Sequence, residues 1–148
     1  MPEIQKVTIL LAEDDHGHAR LIEKNLRRAN LTNDIIKAHD GQQVIDYLFS
    51  NDCAPALLVL LDLNMPVLDG YQVLERMKTD ERTKRIPVVI LTTTDDAREV
   101  TRCYELGCNA YITKPVDYEQ FSETIHKLGL FLVAMMTPDR RMTLYGSA

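Results

Sequence analysis

Five residues of this chain are of the types that phosphoryl transfer to a carboxylate requires: Glu13, Asp14, Asp62, Thr92 and Lys114. Asp62 follows an aliphatic run and precedes a loop punctuated by Pro66 and Gly70, so its carboxylate is expected to stand exposed on a rigid stem. There it can attack phosphorus and hold an acyl phosphate. Glu13 and Asp14 end a second apolar run, and carboxylates gathered in one place repel each other unless a cation sits among them. An all-oxygen ligand set with open water positions suits Mg²⁺, which would neutralise and align the transferring group. Lys114 offers an ammonium to the phosphoryl oxygens and Thr92 a hydroxyl. Backbone N–H groups after Asp62 and Thr92 would complete the cradle. The Lys114–Pro115 bond is a candidate for the cis form, which costs only about 0.5–1 kcal/mol before proline. Singly, each residue reads as a cap, a turn or polar filler. Their combination, in order and at strand ends, points to function.

The elements that must position them alternate. Val7 to Ala12, Asp34 to Ala38, Leu57 to Leu61, Ile86 to Leu91 and Ala110 to Thr113 read as strands. Between them lie helical stretches: His16 to Ala29, a segment with Val44, Ile45 and Leu48 inward, Tyr71 to Lys78, and a helix after Asp95-Asp96 that Gly107 stops. Asp117 opens the last helix. Five strand–helix repeats imply a doubly wound α/β domain with a parallel sheet and right-handed crossovers. In such a sheet the carboxyl ends of the strands open onto one crevice. Residues far apart in sequence therefore meet there.

Length and composition bound the rest. A chain of 148 residues makes one domain, and 45% hydrophobic with 26% charged content is ordinary for a globular protein. A net charge of -5 argues against a cationic nucleic-acid surface. Cys53, Cys103 and Cys108 form no metal or redox spacing and read as free thiols of the cytoplasm. No signal-peptide pattern opens the chain, and its longest apolar run, Leu128 to Met136, is too short to span a bilayer. His16 and His18 form an H-x-H pair beside the acids and read as the start of the first helix, while His39 and His126 read as surface residues.

The strings LLAEDD, LLDLNMPVLDG, PVVILTTT and AYITKP resemble the receiver domain of two-component response regulators, over roughly Val7 to Leu128. The resemblance implies the flavodoxin-like (βα)5 fold with strand order 2-1-3-4-5 and a helical C-terminal extension. It also implies residue roles. Asp62 would be the phosphoacceptor. Asp14, Asp62 and the backbone carbonyl of Asn64 would hold Mg²⁺, with Glu13 acting mostly through water. Asp15 leaves a shifted pair, Asp14 with Asp15, open. Thr92 and Lys114 would bind the phosphoryl group, with Thr93 beside them, and Tyr111 would be the aromatic switch or else a static sheet residue.

The resemblance implies a receiver at 1–128, an extension at 129–148 with no separate output domain, and a signalling protein rather than an enzyme, apart from its own phosphorylation and slow dephosphorylation. A sensor histidine kinase, of phytochrome type by the extension, would supply the phosphate. The alternatives are onward transfer to a histidine phosphotransfer protein, and an aspartyl-phosphate hydrolase. Asn64 counts against the hydrolase, since that class wants a second aspartate there. Phe121, Ile125, Leu128 and Leu132 give the last helix a core-facing side. Leu130, Phe131, Val133, Met135 and Met136 lie in an extension that is apolar nearly all round, so a homodimer through it is expected. No nucleic-acid or membrane partner is expected.

Overall fold

The structure, a computed structural model, describes residues 7–114 and 117–135. Five strands form one sheet: β1 (Thr8–Ala12), β2 (Ile35–Ala38), β3 (Leu57–Leu61), β4 (Val88–Thr92) and β5 (Ala110–Thr113). Their order is β2-β1-β3-β4-β5, and every pair is parallel. The helices are α1 (His16–Arg28), α2 (Gly41–Leu48), α3 (Gly70–Thr79), α4 (Ala97–Leu106) and α5 (Tyr118–Met135). This is the flavodoxin-like architecture. β4 begins two residues later than the sequence pattern indicates, after Pro87, which has no N–H to give to a ladder.

Side chains alternate across the sheet and divide the core. On β3, Leu57, Val59 and Leu61 face α2, α3 and α4, whereas Leu58 and Leu60 face α1 and α5. Both faces are covered, which explains the unbroken aliphatic runs. Each large side chain so buried contributes roughly 1.5–3 kcal/mol. The helices are gripped unequally. Helix α1 buries Ala19, Leu21, Ile22, Asn25 and Leu26. It meets α5 so closely that a Cβ on Gly129 would lie 2.7 Å from the Cβ of Ala29. Helix α4 fully buries only Cys103.

The β3–α3 loop is held under strain. Val67 has φ 70° and is 72% exposed. A β-branched residue is a poor occupant of the left-handed region, at a cost of about 1–3 kcal/mol. Backbone bonds hold it there, from Leu68 N–H to the Pro66 carbonyl and from Gly70 N–H to the Leu63 carbonyl, both 2.9 Å. The Leu68 carbonyl also rests on Gly41, where any Cβ would collide with it. Val67→Gly is therefore expected to raise the free energy of unfolding by about 1 kcal/mol, after allowing for glycine's greater backbone entropy. A urea midpoint equal to or below the parent's would show that the loop carries no such strain.

Candidate functional site

Strand register builds the site. Ala12 pairs with Leu61, so Glu13 and Asp62 leave the sheet side by side. Their main chains remain tethered: Asp62 N–H donates to the Ala12 carbonyl and Glu13 N–H to the Ala38 carbonyl, each at 3.0 Å. One strand further, Thr92 pairs with Thr113, and Lys114 N–H donates to the Thr92 carbonyl at 2.6 Å. The Lys114 ammonium then reaches back over the strand ends. It pairs with Glu13 Oε1, and with Asp62 Oδ2 at 3.1 Å.

Asp62 is only 6% exposed, whereas the sequence pattern predicts an exposed carboxylate. The Lys114 ammonium lies against the carboxylate and helps to cover it. Glu13 and Lys114 are equally enclosed and Thr92 wholly so. Burial pushes the Glu13 pKa up to about 7 from an ordinary 4.5. The Lys114 hydrogen bond opposes that rise and the nearby Asp62 charge adds to it.

A cleft of about 250 Å³ opens above these groups, lined by Glu13, Asp14, Asp15, His18, Asp62, Asn64, Thr93 and Lys114. Carboxylate oxygens of Glu13, Asp14 and Asp62 all lie within 4.8 Å of one another. An oxygen-only set of this charge fits a hard divalent cation. Asp15, on the cleft wall, is engaged as the N-cap of α1, accepting from His18 N–H at 2.9 Å. Asn64 N–H donates to Asp62 Oδ1 at 3.0 Å, and its side-chain amide lies 3.5 Å from Thr92 Oγ1. Thr93 is exposed on the rim. Tyr111 is half-buried, and its hydroxyl donates to the Thr94 carbonyl at 2.6 Å.

Leu130 and Phe131 are 49% and 58% exposed, beyond the buried Leu128 and Gly129. Pro115 and Met136, and the side chains of Val133 and Met135, lie outside the described residues. Sequence reasoning missed His39. It reads as a surface residue, yet its ring Nδ1 is 3.1 Å from the Glu13 carbonyl, and no pattern in the sequence announces that contact.

Residues 9–126 match the model of the response regulator receiver domain. The chain belongs to that family. As a receiver domain it serves as a phosphoacceptor in two-component signalling, and domains of this kind work with sensor histidine kinases. A receiver domain from Rhodospirillum rubrum superposes with a TM-score of 0.84 at 54% identity, covering 90% of this chain and 99% of that one. Response regulator Rcp1 of Synechocystis is 34% identical over 134 residues, which make up 87% of this chain and 90% of Rcp1. Its Mn²⁺-bound structure has a TM-score of 0.81. The phosphorylated cyanobacterial phytochrome response regulator RcpA has a TM-score of 0.80 at 32% identity, covering 89% of this chain and 97% of its own. In this receiver, no helix among the described residues is long and apolar enough to cross a membrane.

Proposed function

We propose that Asp62 is the residue that takes the phosphoryl group, from the phosphohistidine of a phytochrome-type sensor histidine kinase. A carboxylate oxygen attacks phosphorus. The new O–P bond forms as the P–N bond breaks, and the electron pair leaves on the imidazole nitrogen. The observation that carries this reading is the meeting of Asp62, Glu13 and the Lys114 ammonium under one solvent-accessible cleft. Asp14, Asp62 and the Asn64 carbonyl would hold Mg²⁺, with Glu13 acting mostly through water. When bound, that ion supplies charge neutralisation for the phosphoryl oxygens. Lys114 exchanges its carboxylate partners for phosphoryl oxygens, and the Thr92 hydroxyl and the Thr93 backbone N–H add donors. The added charge, about -1.5 to -2, draws Thr92 toward it and favours one of two arrangements of Tyr111. Likeness to Rcp1 and to the phytochrome regulator RcpA supports the kinase assignment. Phosphotransfer profiling against the histidine kinases of the same genome tests it. Fastest transfer from a kinase without a phytochrome sensor would overturn that part of the reading.

The protein works as a homodimer through the end of α5. Exposed Leu130 and Phe131 are adjacent there, and each gains roughly 1.5–3 kcal/mol on full burial. The double change Leu130→Ser with Phe131→Ser is expected to turn a dimer into a monomer in light scattering. A double variant with the parent's mass would remove this face from the interface.

A further inference from the structure

We propose that His39 is a positioning residue for the acid pair, holding the Glu13 peptide so that Glu13 and Asp14 present their carboxylates together. The inference rests on reading those carboxylates as a cation site. Glu13 is gripped from the end of β2 on both sides of its main chain. Its N–H donates to the Ala38 carbonyl at 3.0 Å, and its carbonyl lies 3.1 Å from His39 Nδ1. A carbonyl only accepts, so the Nδ1 nitrogen carries the proton and donates it.

The histidine is itself fixed. Its backbone N–H donates to Gln43 Oε1 at 2.7 Å, and Gln43 N–H donates to Asp40 Oδ1 at 2.7 Å, the N-cap of α2. Its ring stacks on that of His16, with centroids 4.1 Å apart and planes inclined by 27°. His39 thus ties the start of α2 to the turn between β1 and α1. That turn carries both acids. Main-chain freedom at Glu13 would spread the carboxylates, and a hard cation with strict geometry tolerates such spread poorly. Outer contacts of this kind typically change metal affinity by about 10–100-fold when removed.

Mn²⁺ titration followed by electron paramagnetic resonance tests this on the full chain, with far-UV circular dichroism to verify folding. His39→Phe keeps the stack on His16 and loses the donor. It is expected to bind Mn²⁺ about 10-fold more weakly. His39→Asn puts an amide N–H near the place of Nδ1, and is expected to return affinity to within about 3-fold of the parent. If the Phe variant does not fold, His39→Leu takes its place as the form without a donor. Equal affinity of the donor-less variant and the parent overturns the proposal, and so does an Asn variant as weak as the Phe one. A parent that binds no Mn²⁺, or binds it as well after Asp14→Asn, overturns the cation-site reading itself and the His39 role with it.

Discussion

Asp62→Asn accumulates no phosphoryl group from acetyl phosphate and Mg²⁺, or from a cognate kinase, under conditions that label the parent. An amide oxygen is a far poorer nucleophile than a carboxylate and forms no stable acyl phosphate. No neighbouring group replaces it. Glu13 is enclosed and paired with Lys114, and the exposed Asp14 starts from the adjoining strand end, not from the loop whose Asn64 N–H donates to Asp62. The substitution preserves shape and leaves Lys114 paired with Glu13, so the fold should persist. Intact-mass measurement with a parallel thermal melt separates lost chemistry from lost structure. A folded Asn variant that gained phosphate as readily as the parent would show that another residue is the acceptor.

Lys114→Met has the second large effect, and it depends on pH. The methionine stem fills similar space but leaves Glu13 and Asp62, both enclosed, without their common cation. Removing one partner of a buried pair typically costs about 3–5 kcal/mol. Even in the parent, the Glu13 pKa stands at about 7, above its unfolded value. The folded form therefore holds that proton more tightly than the unfolded chain does. Its contribution to stability is full below the unfolded pKa and is lost as pH rises through about 7. Without the ammonium the preference for the proton grows. Urea melts should show Lys114→Met strongly destabilised near pH 8 and much less so near pH 5. A penalty independent of pH would mean that the lysine stabilises by packing and not by its charge.

The fold was legible because its signals are local and redundant. Strand runs such as Leu57 to Leu61 end at a polar residue, and the caps of α4, Asp96 and Gly107, stand where expected. Glu13, Asp14, Asp62 and Lys114 were legible because parallel topology alone brings strand ends together. Burial of Asp62 was not, since it depends on where the Lys114 ammonium lies, and a side-chain trajectory leaves no periodicity in the sequence. His39 escaped for a similar reason: its partner is a main-chain carbonyl, which every residue possesses. The strain at Val67 was hidden because valine there contradicts the local preference, and only the loop's tethers impose its φ.

The close contact of Gly129 with Ala29 has a wider meaning. Two helices that abut at that distance have no room to slide or roll over each other, so α1 and α5 form a stiff plate on one flank. Across the sheet, α4 is moored by one fully covered side chain. The α1–α5 plate is an anvil, and on the opposite face α4 alone is the lever, since α2 and α3 there bury four residues each. A partner that must recognise the protein in every state can read the anvil, and one that must tell the states apart has to read the lever.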